Sequence, residues 1–254
     1  MIGAPARLAS GAERWFLRVG MTWGGRRGTI TGLSRWRLLG AYWTVRADPL
    51  VLRSVVPHCL RVAHLTVAFA RMAGVSQEEL EEAALMHDVG KVILSPRIIC
   101  ASSALSPVEW HLLQAHPWMA ALVLGECFGL RRAARYALDH HENWDGSGYP
   151  RGLRGTAISL GGRLIRIVDS FDAMTHHRPY VTRKSVSQAL HEIEKGAGVL
   201  YDSQLAAGFC KAVQSGCISL HEADGRYPDM VIPELARGTA SFLSVEEKLP
   251  TSRY

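Results

Sequence analysis

Residues 140–150 read HHENWDGSGYP: two adjacent histidines, two acids, then Gly-Ser-Gly, a tyrosine and a proline. Histidine pairs make poor core, and Gly-Ser-Gly encodes no regular structure. The cluster therefore marks a place where something polar binds.

The surrounding chain reads as helices. Ser76 to Glu79, Ser106 to Glu109 and Ser185 to Gln188 each match the S-x-x-E/Q capping box, which predicts three helix starts. Leu80, Ala83, Ala84 and Met86 lead up to His87; Ala133, Ala134, Ala137 and Leu138 lead up to His140; Leu160, Leu164, Ile167, Val168 and Phe171 surround Asp169. These spacings of three and four give each segment an apolar face. Strand alternation is confined to short pieces such as 230–232, so the fold class is all-α.

Those helices carry histidines to their ends. His58, the pair His87-Asp88, His116, the pair His140-His141 and Asp169 form a set of five imidazoles and two carboxylates. A mixed N/O donor set suits Fe, Mn or Zn rather than the all-oxygen sites of calcium, and seven donors are too many for one ion. A two-metal site, with water deprotonated between the ions as nucleophile, would use them. Neighbours on a helix point about 100° apart. His140 and His141 are thus expected to reach different ions, as are His87 and Asp88.

Composition sets the remaining limits. The 254 residues are 48% hydrophobic and 20% charged, enough for one globular domain with extensions. No run of 18 uncharged apolar residues occurs and the N-terminus lacks an apolar signal region, so the chain is expected to be cytoplasmic, with no transmembrane segment. Five widely spread cysteines without a CxxC pair read as buried free thiols. The net charge of +6 is too small to imply nucleic acid. Residues 1–33 read as a basic, poorly ordered extension, residues 34–228 as the helical domain beginning with a helix at Ser34, and residues 229–254 as an irregular tail.

With these motifs in place, the chain resembles a known family. MHDVGK at 86–91 is similar to the HD-x-GK signature of the HD phosphohydrolase superfamily, and HHENWDGSGYP followed by IVDSFDAMT and RPY resembles the HD-GYP subfamily of cyclic di-GMP phosphodiesterases. The order also agrees: H-x-x-R-V-A from His58, HD at 87, HP at 116, HHE at 140 and D-x-x-D-A at 169. The resemblance implies an HD-domain helical bundle holding two divalent metals, Fe or Mn, and hydrolysis of cyclic di-GMP to pGpG and GMP. It implies His87, Asp88, His116, His140, His141 and Asp169 as metal ligands, with Asp88 bridging. Lys91 would stabilise charge on the phosphoryl oxygens; Gly148, Tyr149 and Pro150 would shape the substrate floor, Tyr149 stacking on guanine; Arg178 would grip a phosphate. Other signalling proteins are conceivable partners.

Several positions depart from the pattern. His58 matches a ligand of a third metal in some members, which carry a glutamate where this chain has Ser54. Pro57 lacks an N–H and restricts its predecessor, so a helix is expected to begin there and to displace His58 from the cluster. Val181 stands where a basic residue is usual, the 93–105 loop lacks the family's Lys-Pro-Gly, and His176 and His177 are not expected to be ligands. A module that binds cyclic di-GMP or a protein without turnover, and a phosphodiesterase for another cyclic nucleotide, are the alternative readings.

Overall fold

The computed structural model describes residues 49–220 except 78, 100, 102 and 177–182, and only the backbone of 49–54. The Ser34 helix, the 230–232 segment, the extension, the tail, His177, Arg178 and Val181 lie outside the described residues. Nine α-helices run in the order α1 (Pro49–Met72), α2 (Leu80–Met86), α3 (Pro96–Ile99), α4 (Pro107–Gln114), α5 (His116–Leu122), α6 (Arg131–Asp139), α7 (Leu160–Thr175), α8 (Val186–Lys195) and α9 (Ser203–Gln214) among the described residues. Pairing of the β type is limited there to one bridge, Ala197 with Tyr201. The all-α expectation holds.

The apolar stripes meet where their spacing says they should. Leu80, Ala83, Ala84 and Met86 of α2, Ala133 and Ala137 of α6, and Leu164, Ile167, Val168 and Phe171 of α7 join one core. α1 lies against α2 and α7, and α6 against α2, α5 and α7. Phe209 of α9 makes edge-on contacts with Phe69 of α1 and Phe171 of α7, at 5.2 and 5.3 Å between ring centres. α1, α2, α6 and α7 thereby bring His58, His87, His140 and Asp169 to one place.

Pro57 does not start a helix. α1 runs through it, with Pro57 exposed and its neighbours Val56 and His58 buried. Burial of the residues on either side of the proline holds the helix together. The capping boxes at Ser106 and Ser185 form as expected. The one at Ser76 does not: Glu79 itself precedes α2, in a left-handed conformation at φ 58°. Its carboxylate instead accepts the first-turn N–H groups of Arg132 and Ala133, at 2.8 and 2.9 Å, capping α6 across the bundle. Two of the four described cysteines, Cys127 and Cys217, are exposed rather than buried.

A cap of this kind is worth about 1 kcal/mol. Glu79→Ala is therefore expected to lower unfolding free energy by about that amount in a urea titration, and unchanged stability would show that α6 needs no cap from α2.

Candidate metal centre

The two halves of HHENWDGSGYP are placed by different means. α6 ends at Asp139, so His140 is its C-terminal cap and His141 already lies in a turn. Their rings are 4.0 Å apart and tilted by 42°. Neither has helical residues on both sides, so the 100° spacing of helical neighbours, and with it the expectation that the two serve different ions, does not apply to this pair. Asp88, His116, His140 and His141 form one group of donors within 4.8 Å of one another, and His58, His87 and Asp169 form another. Asp88 lies between the groups. Its Oδ1 is 3.3 Å from His116 Nε2 and 3.9 Å from His140 Nε2, while Oδ2 is 3.6 Å from His87 Nε2 and 3.8 Å from His58 Nε2. His58 thus belongs to the cluster, contrary to its expected displacement.

The imidazoles are held by their far nitrogens. His87, His116 and His140 each direct Nδ1 at the backbone carbonyl three residues earlier, Ala84, Leu113 and Ala137, at 2.6 Å. A carbonyl only accepts, so each Nδ1 carries the hydrogen and each Nε2 a lone pair. The Nε2 atoms of His116 and His140 approach to 3.3 Å. With this tautomer that contact is two lone pairs converging, which repel unless a cation lies between them. The buried His58 Nε2, His87 Nε2 and Asp88 Oδ1 have no hydrogen-bond partner, although His58 Nε2 is 3.0 Å from Asp169 Oδ1. Buried polar atoms are rarely left so. The donor set fits divalent metal.

Electrostatics agree. Burial opposes ionisation of Asp88 and Asp169, but Lys91 and the imidazoles around Asp88, and His58 and further imidazoles around Asp169, outweigh it and hold both carboxyls well below their usual range. Burial and neighbouring imidazoles keep His140 and His141 neutral, and burial pushes His87 the same way. His58 differs: burial disfavours its charge, but contacts with Asp169 and Asp172, aided by Asp88, lift it to about 9. Lys91 Nζ lies 2.5 Å from Asp88 Oδ2.

Behind the donors is a second tier that the sequence reading did not assign. Asp172 is almost fully buried. It faces His58 Nδ1 at 2.7 Å, receives two hydrogen bonds from the Arg61 guanidinium at 2.7 and 2.9 Å, and lies 3.0 Å from His176 Nδ1. His58 and Arg61, and Asp169 and Asp172, are each three apart on a helix, hence on one face; that spacing was the available signal. The buried Glu142 accepts the Arg151 and Leu153 N–H groups at 2.8 and 2.9 Å, which folds the GSGYP loop back on HHE. A Cβ on Gly148 would lie 2.2 Å from Asn143 N and 2.5 Å from His141 O, so only glycine fits. Tyr149, followed by Pro150, stacks on His141 at 4.7 Å and 28°. Gly90 is equally constrained, by the His116 carbonyl 2.1 Å from where its Cβ would be.

Residues 52–205 match the HD domain family model. The chain belongs to the HD domain family. Over 159 residues it is 37% identical to a cyclic di-GMP phosphodiesterase of Thermotoga maritima, covering 61% of this chain and 43% of that protein. It is 36% identical over the same length to a 3′3′-cGAMP-specific phosphodiesterase of Vibrio cholerae, covering 61% of this chain and 35% of that one. The matched segment therefore spans less than half of either relative. Among solved structures, the HD domain of the L. monocytogenes phosphodiesterase PgpH, in complex with cyclic-di-AMP, superposes with a TM-score of 0.53 at 16% identity, over 73% of this chain and 97% of that one. An HD-GYP-type protein of Bdellovibrio bacteriovorus gives 0.52 at 17%, over 81% and 63%. These likenesses establish the HD fold. No helix among the described residues is long and apolar enough to cross a membrane.

Asp172→Asn keeps the shape but removes the charge that orients His58. Metal affinity, measured by competition with a chelator, is expected to fall 10- to 100-fold; unchanged affinity would leave Asp172 a purely structural role. Metal bound through His58 would also have to displace its proton. Apparent affinity is expected to climb with pH up to about 9 and to flatten above it, and a profile already flat from pH 7 would contradict a charged His58.

Proposed function

We propose that this chain is a metal-dependent phosphodiesterase that hydrolyses cyclic di-GMP to pGpG and GMP. The observation that carries this reading is Asp88, whose two oxygens face two separate donor groups; the T. maritima and V. cholerae relatives supply the substrate class. His58, His87 and Asp169 would hold one ion, His116, His140 and His141 the other, and Asp88 would be shared. Iron or manganese suits these N/O donors. Bound there, a divalent pair would supply Lewis acidity at the phosphate and lower the pKa of water so that a nucleophile exists near neutral pH.

The remaining work belongs to the protein. In each hydrolytic step water adds OH to phosphorus and a proton to the departing O3′, so the phosphate stays on the 5′ oxygen; one cut gives pGpG and a second gives two GMP. Lys91, held beside Asp88 at the edge of the centre with its side chain mostly covered, would stabilise negative charge on the phosphoryl oxygens as they become more basic. Gly148 lets the loop backbone pass close to His141, and Pro150 would shape the floor beside it. Tyr149 would meet a base with the part of its ring that His141 leaves free, and Arg178 would grip a phosphate with its planar fork. A 3′3′-cGAMP substrate is the second reading, on the strength of the V. cholerae relative.

The test is to load the full chain with Fe(II) or Mn(II) anaerobically, incubate it with cyclic di-GMP or 3′3′-cGAMP, and separate the products. Appearance of linear dinucleotide and mononucleotide from either substrate is expected. Bound but intact nucleotide would instead make the chain a binding module. Lys91→Met should lower kcat by about 100-fold with metal content retained, and an unchanged kcat would remove Lys91 from the chemistry.

A further inference from the structure

α4 (Pro107–Gln114) has a complete N-terminal capping box yet buries none of its residues. It adds no fully buried side chain to the core, and Trp110 is left 46% exposed. Leaving so large an apolar ring in water forgoes much of the burial that usually keeps tryptophan in place. Its location gives it a use. The Trp110 ring lies edge-on to Tyr149, 6.3 Å between centres and 71° between planes. Tyr149 in turn stacks on His141, a member of one donor group. An aromatic path thus leads from the metal donors to an exposed indole at the edge of the site.

We infer that Trp110 is a nucleobase-stacking platform at the mouth of the site, taking a base of the cyclic dinucleotide. The inference rests on the proposed phosphodiesterase reading and extends it. A cyclic dinucleotide has two bases, and Tyr149 cannot sandwich one because His141 already covers one of its faces. A second flat surface is needed, and the half-exposed Trp110 supplies it next to Tyr149. Stacking is tolerant of base identity, since every base has a π-face. The platform therefore serves guanine and adenine alike, and discrimination between them has to come from elsewhere in the site.

Trp110→Ala and Trp110→Phe in the full, metal-loaded chain test this, with cyclic di-GMP and 3′3′-cGAMP as substrates. Trp110→Ala is expected to raise KM about tenfold for both, leaving kcat within twofold and metal content unchanged, and Trp110→Phe to recover most of the loss. A KM within twofold of wild type in Trp110→Ala, or a loss confined to kcat, overturns the platform. Should the wild-type chain hydrolyse neither nucleotide, the catalytic reading fails by itself, and equilibrium dialysis of cyclic di-GMP decides the platform: about tenfold weaker binding by Trp110→Ala supports it, and equal binding overturns it.

Discussion

A buried carboxylate between converging imidazoles governs this molecule. Asp88 is ionised and almost wholly removed from water, with Lys91 Nζ 2.5 Å from one of its oxygens and imidazoles around both. A charge so placed is costly unless cations reach it. Around it, Nε2 lone pairs of His87, His116 and His140 point inward because their Nδ1 hydrogens are committed to the backbone carbonyls of Ala84, Leu113 and Ala137. The arrangement stores repulsion among donors that a pair of divalent cations would convert into attraction.

The bundle exists to hold that convergence. His87 and His140 follow the last residues of α2 and α6, and His116 opens the short α5 just past the end of α4, so each ring is oriented by an i−3 carbonyl at a helix C-terminus. α7 contributes Asp169 and Asp172 from one face, and α1 contributes His58 and Arg61 in answer. Glu79 ties the α2 end to the start of α6, so the elements carrying His87 and His140 are fixed to one another by a hydrogen-bonded cap as well as by core packing.

Much of this was legible because the helix faces and several donors share one period: apolar residues three and four apart mark the buried side, His87 and His140 follow such runs, and Asp169 lies within one. The failures have a common cause, which is that local rules were applied where tertiary contacts decide. Pro57 breaks a helix only if nothing holds its flanks, and here Val56 and His58 are buried. Ser76 and Glu79 satisfy a local capping pattern, but Glu79 gains two N–H groups from a distant helix instead. His140 and His141 are adjacent in sequence but not helical neighbours, since the helix ends at Asp139. The Asp172 and Glu142 carboxylates escaped notice because their partners, Arg61 and the Arg151–Leu153 backbone, lie far away or in a loop whose path no periodicity predicts.

The most direct measurement is anomalous diffraction from crystals of the manganese- or iron-loaded chain, collected at the absorption edge of the metal. Two peaks are predicted, one among His58, His87 and Asp169 and the other among His116, His140 and His141, with one Asp88 oxygen on each. A single peak, or two that leave Asp88 bound to only one ion, would contradict the account.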